Sequence, residues 1–561
     1  MKKLVCMALA GILAVSALVG CGKDSGSSSQ NESGKAPDAS AQEQSGSGKY
    51  TEVGTYNPIV TEPVELRVFV PQPSHIIDFS TNETTKFLEE YTGLKLNFET
   101  SPTETTTEKV NMILTSGQDL PDCFLGIGTD VARFGVEEGL LIDLTELIDT
   151  KMVQLQKMFE KHDTLRGAMT ATDGKIYEAP SYQETYHVTM SLKMWANTEQ
   201  LKKMGVEVPT TTEEFYNVCK MFKEQNPNGL PFIGGQNWNG DPLLFMTNAF
   251  TFRTDNTYGL RLNKEKKVET CFTTDEYREA LRFMNRLYSE GLLYEGSFTM
   301  TVDQMKSLLV EEGEPVLFFT GGASVNVIDT ATSPELYSHY YPIAPLEGPD
   351  GFRCAAYMPS TPVGCFSITK DCKEPEAAAR FADYILTTEG TETIWMGPKG
   401  VGWDDPDEGA VGLNGKPALY KRLLPYSHEP QNINWQDLGF SYQPTEYRFG
   451  EQTDPDIDIF SADGLEKLLL KATEEEYEPY ITDEYQALPS LSFLLDENQQ
   501  LQTIKVELKK FASEGSIRFV TGDRDINSDS AWEEFVNGLD NIGLGTLLEV
   551  YQTAYDRQYT K

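Results

Sequence analysis

The sequence predicts an α/β protein of at least two lobes, preceded by a leader that is not part of the folded body. Strand-like and helix-like segments alternate along the chain, an order that places helices against a mostly parallel sheet. Beyond residue 55 the chain retains about 500 residues, which is more than one hydrophobic core normally supports. No segment of this body is apolar enough to cross a bilayer.

The first 20 residues have the layout of a secretory signal. Three residues, Met1 to Lys3, form a short basic start, and the run from Leu4 to Gly20 is nearly all apolar. A membrane-spanning helix needs about 20 apolar residues with suitable flanks, whereas this run is shorter and ends in small residues that a signal peptidase accepts. We expect residues 1–20 to be removed.

The last residues of that run, Leu18-Val19-Gly20-Cys21, resemble the lipobox of bacterial lipoproteins. In a lipobox the cysteine thiol is alkylated by a diacylglyceryl group, and the cysteine becomes the mature N-terminus. Two or three acyl chains, at about 0.8 kcal/mol per buried methylene, bind a membrane far more firmly than one chain. Cys21 is therefore the predicted lipidation site. The alternative is that Cys21 is not lipidated and is only a small residue near an ordinary signal-peptidase cleavage site.

Residues 21–55 predict a flexible linker. From Cys21 to Lys49 the chain has no apolar side chain larger than alanine except Pro37. Such a segment buries too little surface to offset the entropy lost on ordering it. We expect it to hold the folded body away from a lipid surface and to leave that body free to reorient.

The body begins with strands and helices in alternation. The segment VELRVFVPQ (64–72) alternates apolar and polar residues and then becomes fully apolar, as a strand entering a buried sheet does. A helical pattern follows up to Gly93, then an alternating strand, then a second helix ending at Gly117 and a strand in DCFLGIG (122–128). Ligands of such sheets bind beyond the carboxyl ends of the strands.

A further region of the same kind is predicted later in the chain. A strand runs into Trp195 and Asn197, and the short helix after it ends at Gly205. The run TTTEE (210–214) favours the start of another helix beneath an N-cap.

Charge and cysteine content exclude several classes of partner. The 86 acidic residues exceed the 47 basic residues and give a net charge of -39, which argues against nucleic acid or an anionic lipid surface as the main partner. Six cysteines lie beyond the lipobox: Cys123, Cys219, Cys271, Cys354, Cys365 and Cys372. They lack the paired spacing of a zinc ribbon. Because an exported protein can form disulfides, these six cysteines could be paired, and buried free thiols are an equally good interpretation.

Six segments together carry a family resemblance. They are LPDCFLGIG, DGKIYEAPS, MWANTEQLKKMGVEVPTTTEEFYNVCKMFKEQNPNG, EALRFMNRLYSEGLL, EPEAAARFADYILTTEGTETIWMGPKGVGW and FVNGLDNIGLGTLLEVYQTAYDR. The chain resembles an extracellular solute-binding lipoprotein of a carbohydrate ABC importer, of the family 1 type, and more closely the LplA-like oligosaccharide-binding lipoproteins. The resemblance spans most of residues 64–557, and it rests on the order of the segments rather than on one motif.

The resemblance implies a two-lobe periplasmic-binding-protein-like fold with strands that cross a hinge and extra C-terminal helices. The first lobe would use residues 56–181 and 360–400, and the second lobe residues 182–359. Residues 401–561 would complete the lobes and the cleft. The chain departs from relatives in NPNGLP, which lacks a longer Asp/Asn-rich loop and so puts a calcium site there in doubt. It departs again in FFTGGASVNV, where Ser324 and its neighbours stand in place of a common tryptophan.

The resemblance also implies a function. The protein would be a lipid-anchored monomer that captures an oligosaccharide between its lobes and delivers it to the membrane subunits of an ABC importer. It would lie on the outer face of a bacterial cytoplasmic membrane, touch that membrane only through its anchor, bind no nucleic acid and need no cofactor. The alternatives are an anchored extracellular glycoside hydrolase and a sugar-sensing or adhesive lipoprotein.

No catalytic motif favours an enzyme. The five histidines are widely scattered, and the chain has no HExxH, GxSxG, phosphate-loop or dinucleotide pattern. A glycosidase needs only two carboxylates, which this chain has in excess. The missing motifs therefore do not exclude hydrolysis, but we expect a binding protein without catalytic residues.

Candidate ligand residues follow from the chemistry of a sugar. Its ring presents hydroxyls at the edge and an apolar C–H face above, so its site needs flat aromatic side chains together with hydrogen-bonding groups. Trp238 is a candidate because it lies in a glycine-rich loop beside Gln236 and Asn237. The other candidates lie near strand ends or in irregular polar segments: Trp195, Asn197, Trp403, Trp435, Asp122, Asp130 and Ser324.

Several of these candidates have structural alternatives. Trp238 could pack beneath its loop, and Trp195 could be buried within its strand. Asp122 could cap a turn and Asp130 could begin a helix. The two remaining tryptophans outside this set lie in helical patterns and are expected to pack.

One C-terminal segment, DRDINSDSAWEE, has EF-hand-like spacing. Its weak candidates for a metal site are Asp523, Asp525, Asn527, Asp529 and Glu534. The sixth loop position is Ser528, where the sharp turn requires glycine, and no helix clearly precedes the loop. The sequence favours a capping box from Ser530 to Glu533 that opens a helix, and we expect no bound metal.

Overall fold

The computed structural model describes five stretches of the chain: 48–162, 164–310, 315–330, 332–424 and 429–560. The predicted signal (1–20), the lipidation site Cys21 and most of the linker (21–55) lie outside the described residues. Within these stretches, no helix is both long and apolar enough to cross a membrane.

Strands and α-helices alternate along the described chain, which confirms the predicted α/β class. The strands are β1 (Val64–Gln72), β2 (Leu94–Pro102), β3 (Cys123–Leu125), β4 (Ala179–Gln183), β5 (Met194–Asn197), β6 (Leu230–Ile233), β7 (Leu260–Asn263), β8 (Val268–Thr270), β9 (Val316–Thr320), β10 (Tyr340–Ile343), β11 (Val363–Ile368), β12 (Trp403–Asp404), β13 (Lys421–Arg422), β14 (Tyr442–Gln443) and β15 (Tyr485–Ala487). The helices are α1 (Glu83–Thr92), α2 (Thr106–Ser116), α3 (Thr145–Lys151), α4 (Val153–Lys161), α5 (Leu165–Met169), α6 (Thr198–Met204), α7 (Thr212–Gln225), α8 (Pro242–Thr247), α9 (Asp275–Ser289), α10 (Val302–Val310), α11 (Pro334–Ser338), α12 (Pro375–Ile385), α13 (Thr388–Met396), α14 (Thr445–Phe449), α15 (Leu465–Ala472), α16 (Leu495–Thr521), α17 (Asp529–Ile542) and α18 (Leu544–Tyr559).

The first sheet has six strands in the order β14, β4, β11, β3, β1, β2. β1 pairs in parallel with β2 and β3, β14 pairs in parallel with β4, and β11 runs antiparallel to β3 and β4. The carboxyl ends of five strands therefore meet the amino end of β11 at one edge. We call this the first edge; it includes Gln72, Pro102, Leu125, Gln183, Val363 and Gln443.

The second sheet has four strands in the order β10, β5, β9, β6. β6 and β9 are parallel, whereas β5 runs antiparallel to β9 and β10. The carboxyl ends of β6, β9 and β10 therefore meet the amino end of β5. We call this the second edge; it includes Met194, Ile233, Thr320 and Ile343.

Three segments connect the two edges. The first crossing (184–193) runs from β4 to β5, and the second crossing (344–362) runs from β10 to β11. The third crossing (444–464) runs from β14 to α15, which packs against β10 of the second sheet. The crossings also pair with one another, because the Met358 N–H donates to the Thr189 carbonyl at 2.7 Å. Since each crossing joins one edge to the other, the two edges border the same space.

Each sheet has a hydrophobic core of its own. The first core packs α12 against α3, α4 and β11 and includes Val68, Phe366 and Phe381. The second core packs α7 and α9 on the second sheet, with α16, α17 and α18 added from the C-terminal region, and includes Phe215 and Phe232. The C-terminal helices thus enlarge the second core.

Several local predictions are confirmed. β1 matches the predicted strand 64–72. α1 and α2 end at Gly93 and Gly117, which have φ of 76° and 61°, in the left-handed region that favours glycine. α7 begins with a capping box between Thr211 and Glu214.

Two predictions near the EF-hand-like segment are wrong. The N-cap of α17 is Ser528, whose side chain accepts from the Ala531 N–H at 3.2 Å, rather than Ser530. A helix also precedes the loop, because α16 ends directly before Gly522. The apolar residues of α16 face α9, α17 and α18, so they do not form the single stripe by which a surface helix is recognised in a sequence.

The predicted lobe boundaries stay a prediction. The first sheet takes β1 to β4 and β11, and it also takes β14 from the predicted C-terminal region. The second sheet lies wholly within residues 182–359. The six cysteines among the described residues are free, and five of them are buried.

Arg380 is fully buried and fastens the start of the body to the first lobe. Its Nη1 donates to the Thr51 carbonyl at 3.0 Å, and its Nη2 donates to the carbonyls of Glu52 and Thr55 at 2.9 and 2.7 Å. Glu376 lies 3.6 Å from the guanidinium. A buried guanidinium is tolerated when its N–H groups have such partners.

Replacing Arg380 with Met should lower the free energy of unfolding by about 3 kcal/mol, because a buried side chain loses its hydrogen bonds to three backbone carbonyls. Urea unfolding followed by circular dichroism measures this change. The control is Arg166→Met, which removes a half-exposed pair with Asp149 and should cost below about 1 kcal/mol. Equal losses in the two variants would contradict the assigned role of Arg380.

Candidate functional site

The candidate site is the space between the first and second edges. At the first edge, a cavity of about 420 Å³ lies beyond the ends of β1 and β2. Its volume falls in the range of small-molecule sites. Its lining mixes apolar, hydroxyl, amide and carboxylate groups without a basic side chain: Gln72, Pro73, Ser74, Ile76, Ile77, Thr100, Ser101, Pro102 and Glu104.

An aromatic cluster lies at the first edge where the first crossing begins. The ring of Tyr182 stacks on Tyr442 with centroids 6.5 Å apart, and His162 meets Tyr182 edge-on at 4.7 Å. The Tyr182 O–H donates to Glu184 at 3.3 Å. Partial burial is the main cause that raises the pKa of Tyr182, and the negative charge of Glu184 is the second. The same two causes raise the pKa of Tyr357, whose side chain is 39% exposed. Both hydroxyls therefore remain protonated donors.

Sequence reasoning missed this cluster because it considered only tryptophans as sugar platforms. The strand β4 begins within the segment DGKIYEAPS and ends at Gln183, so Tyr182 and Glu184 lie on either side of its last residue. The rule that ligands bind beyond strand ends would have selected both residues.

Trp238 lies at the second edge, in the loop after β6. Its side chain is 44% exposed, and its ring rests on the backbone of Gly322, where an added Cβ would lie 2.3 Å from the indole. The Gly322 N–H donates to the Trp238 carbonyl at 2.7 Å, and Asn237 Nδ2 donates to the Thr320 carbonyl at 3.3 Å. The loop therefore presents a fixed and accessible indole.

The same loop is attached to the first crossing. Asn239 Nδ2 donates to Ser191 Oγ at 2.8 Å, and the Gly321 N–H beside the loop donates to the Lys193 carbonyl at 3.1 Å. The exposed Gln236 is held by its N–H, which donates to the Met300 carbonyl at 2.8 Å. The structure thus brings Gln236, Asn237 and Trp238 together, and their ligand roles stay predictions.

Trp195 and Asn197 do not face the space between the edges. Trp195 is fully buried, stacks on Phe319 with centroids 6.1 Å apart, and donates from Nε1 to the Gly321 carbonyl at 2.8 Å. Asn197 ends β5 and caps α6 by accepting from the Gln200 N–H at 3.0 Å. Because β5 runs antiparallel to β9, its carboxyl end lies away from the second edge. Trp195 supports this edge from beneath.

Ser324 and two tryptophans are buried as well. Ser324 is fully inaccessible at the start of a short 3-10 turn after β9. Trp435 is 1% exposed and packs edge-on against Phe79 and Phe98. Trp403 is 6% exposed and packs in a small core around Met396. Both tryptophans therefore pack in hydrophobic cores, although the sequence made them candidate ligand residues.

The two carboxylates Asp122 and Asp130 lie at opposite ends of β3. Asp122 precedes the strand and accepts from the Arg67 N–H at 2.7 Å, so it lies at the end of the sheet away from the first edge. Asp130 follows the strand at the first edge, where it caps a π-helical turn by accepting from the Arg133 N–H at 3.1 Å. Of the pair, Asp130 alone borders the candidate site.

Arginines approach the EF-hand-like residues. Arg278 pairs with Asp529 at 2.9 Å and Arg524 pairs with Glu534 at 2.8 Å. Arg282 donates to Asn527 at 3.1 Å. In the part of the chain that the structure describes, no group of three or more His, Cys, Asp and Glu side chains is placed to hold a metal.

Glu178 is a buried carboxyl group beside the first edge. Its Oε1 accepts from the Thr129 N–H at 2.7 Å and from the Thr129 hydroxyl at 2.8 Å. Its Oε2 lies against Gly364, where an added Cβ would be 1.9 Å away. Burial raises the pKa of Glu178 to about 7, although both bonds from Thr129 oppose this shift. Glu178 therefore ties the loop after β3 to β4 and β11.

The profile of the bacterial extracellular solute-binding proteins matches residues 76–392 of the chain. The chain belongs to this family. The solute-binding protein is also similar in sequence to FusA of Streptococcus pneumoniae, named a fructooligosaccharide ABC transporter substrate-binding protein, with 25% identity over 84% of this chain and 86% of that protein. It shares 24% identity with lipoprotein LipO of Bacillus subtilis, over 64% of this chain and 71% of that protein.

A solved structure supports the fold of this solute-binding protein. An HMO-binding, ABC-transporter-associated solute-binding protein of Bifidobacterium longum infantis superposes with a TM-score of 0.73 at 19% identity, covering 89% of this chain and all of that one. The predicted two-lobe periplasmic-binding-protein-like fold is thereby confirmed.

Glu178→Gln should make the free energy of unfolding less dependent on pH. The folded protein binds a proton on Glu178 up to about pH 7, whereas the unfolded chain releases it near the ordinary value, so this group makes wild-type stability fall as pH rises from about 4.5 to 7. Relative to wild type, the variant should gain up to roughly 3 kcal/mol between pH 5 and pH 8.

Chemical denaturation at the two pH values measures that difference. Gln retains an acceptor for Thr129, so the fold should persist. The exposed Glu108→Gln is the matched control and should show no comparable gain. A constant difference between Glu178→Gln and wild type would refute the raised pKa.

Proposed function

We propose that this solute-binding protein captures an uncharged oligosaccharide between its two lobes and delivers it unaltered to an ABC importer. The observation that carries the proposal is the pair of facing edges joined by three crossings. Exposed large apolar side chains occur at these edges and crossings: Ile77, Val188, Trp238, Tyr357 and Val363. Exposed apolar surface rimmed by polar groups is typical of a binding site.

The chemistry of both edges suits a sugar. Trp238 offers a flat ring at the second edge, and the first-edge cavity offers Gln72, Thr100 and Glu104 as hydrogen-bonding groups. A sugar that lay between them would stack its C–H face on the indole and direct hydroxyls at the opposite lobe. FusA, the relative at 25% identity, is named for a fructooligosaccharide, which favours an oligosaccharide here too.

The charge distribution favours a neutral sugar over an acidic one. Three basic groups beside the first edge and the crossings lie next to carboxylates: Lys161 with Glu446 at 2.9 Å, His162 with Glu184 at 3.5 Å, and Arg448 with Glu466 at 2.6 Å. Glu104 and Asp130 add negative charge at the first edge. Each like-charge pair with a uronate at 4 Å would cost about 1 kcal/mol even in water.

Binding would shift the balance between an open and a closed arrangement of the lobes. The sugar touches both edges only when the lobes are closed, so it binds the closed state more tightly and increases its population. The importer would recognise that closed form. Cys21 and the linker would keep the protein at the outer face of the membrane, and the name of LipO favours such an anchor.

The test of function uses matched oligosaccharides that differ in charge. Isothermal titration of the linker-free body (48–561) should give heat of binding with a neutral oligosaccharide from a fructan, glucan and mannan panel, and at least tenfold weaker binding with its uronate analogue. Mass spectrometry after incubation should return the sugar unaltered. Tighter binding of the uronate would contradict the ligand class, and shortened products would indicate a glycoside hydrolase.

Trp238→Ala should weaken binding of that neutral sugar at least tenfold, which corresponds to about 1.4 kcal/mol of lost stacking. Trp238→Phe keeps a flat ring and should lose less. Met112→Ala, which truncates a side chain 68% exposed on α2, is the control for removal of exposed apolar surface and should bind as wild type does. Unchanged affinity in Trp238→Ala would remove this residue from the site.

A further inference from the structure

Lys193 is a buried lysine at the end of the first crossing. Its side chain is fully inaccessible, and its Nζ donates to the carbonyl of His187 at 3.1 Å and to the carbonyl of Met190. These two acceptors belong to the turn that the first crossing makes before it enters β5. The ammonium group therefore closes this turn.

Tyr477 connects Lys193 to the other two crossings. Lys193 Nζ lies 4.7 Å from the centroid of the Tyr477 ring. The Tyr477 hydroxyl donates to the Ile343 carbonyl at 2.7 Å, where the second crossing begins, and accepts from the Met194 N–H at 3.4 Å. Tyr477 itself ends the helical segment that follows the third crossing. The pair Lys193 and Tyr477 thus joins the end of the first crossing to the start of the second crossing and to the helical segment that follows the third.

The backbone of Lys193 also reaches the proposed ligand loop. Its carbonyl accepts from the Gly321 N–H at 3.1 Å, and the next residue, Gly322, donates to the Trp238 carbonyl. Two backbone hydrogen bonds therefore connect the end of the first crossing to the loop that carries Trp238.

We propose that Lys193 is a positioning residue, whose ammonium group holds the hinge turn against Tyr477 in the geometry that binds sugar, and that binding weakens when this group loses its proton. The proposal rests on the proposed sugar-binding function. The protonated group supplies three donors and a cation–π contact. The neutral amine supplies two donors and no cation, so the turn and the loop attached to it are held less firmly.

The proton is lost in an accessible pH range. Burial lowers the pKa of Lys193 to about 7. Burial also lowers the pKa of His187 to about 4, so His187 is neutral throughout this range. Burial raises the pKa of Tyr477, which keeps its phenol protonated.

The titratable neighbours on the adjoining segments are Glu466, Arg448, Glu476 and Tyr341. Burial disfavours the charged forms of Glu466 and Arg448, but their ion pair outweighs this effect. The pKa of Glu466 is therefore lowered and that of Arg448 is raised. Burial raises the pKa of Tyr341, and it also raises the pKa of Glu476 above its ordinary value. Glu178 on the first sheet titrates near the same pH as Lys193, so a control must separate the two.

The test compares wild type, Lys193→Met and Glu178→Gln at pH 6.0 and 8.5, with two readouts. The first is hydrogen-exchange protection of residues 186–194 and 321–322 in the ligand-free protein, corrected for the intrinsic exchange rate. The second is the Kd for a fructooligosaccharide mixture. In wild type we expect protection to fall at least fivefold and Kd to rise at least threefold at the higher pH.

Lys193→Met should abolish both pH dependences, whereas Glu178→Gln should retain them. Tyr477→Leu removes the aromatic ring but leaves the lysine, so it should reduce both pH dependences. It replaces Lys193→Met in the test if that variant does not fold. The same pH profile in Lys193→Met and wild type, or a profile lost in Glu178→Gln, overturns the proposal. Absence of sugar binding at both pH values would count against the proposed function, and the exchange readout would still decide the role of Lys193.

Discussion

The binding geometry depends on the direction in which the strands end. Five of the six strands of the first sheet and three of the four strands of the second sheet send their carboxyl ends to the edges that the crossings join. Polar backbone groups are unpaired where strands end, so loops at such edges can take irregular conformations and offer side chains to a ligand. Because three separate segments link the lobes, the proposed closure would leave the hydrogen bonds within each sheet intact.

Close backbone approach makes the two edges rigid. Trp238 lies on Gly322 and Glu178 lies on Gly364, and a side chain at either glycine would overlap its neighbour. Both large groups are thereby fixed against main chain rather than against mobile side chains. Such fixed groups lose little conformational entropy when a ligand binds, which favours affinity.

Local structure could be predicted from the sequence wherever a short pattern determines it. The strand 64–72 and the glycine caps at Gly93 and Gly117 depend on neighbours within a few residues, and these predictions are confirmed. Trp238 was placed in an accessible loop by its glycine-rich surroundings. The positions of Asn197 and Asp122 were not predictable, because the direction of a strand within its sheet follows from long-range pairing.

Burial was the other property that the sequence did not reveal. Trp435 lies in a polar segment, yet it is enclosed by Phe79 and Phe98, which are more than 300 residues earlier in the chain. Lys193 follows the alternating apolar and polar segment VTMSL (188–192) and gave no chemical signal of its own. Its proposed role depends on Tyr477, which contacts it from a segment nearly 300 residues later. Contacts of this range are a property of the assembled core.

The buried charge of Lys193 is expected to affect stability and binding in opposite directions. Above about pH 7 the folded protein has released this proton, whereas the unfolded chain keeps it up to the ordinary lysine range. The unfolded state therefore binds more protons in this interval, and the contribution of Lys193 to stability rises with pH. On the proposed role of Lys193, the turn of the first crossing would be held less firmly over the same interval. A buried lysine that destabilises the fold while it is charged, and orders the hinge in that same state, is the pattern expected where stability is exchanged for a defined geometry at a functional site.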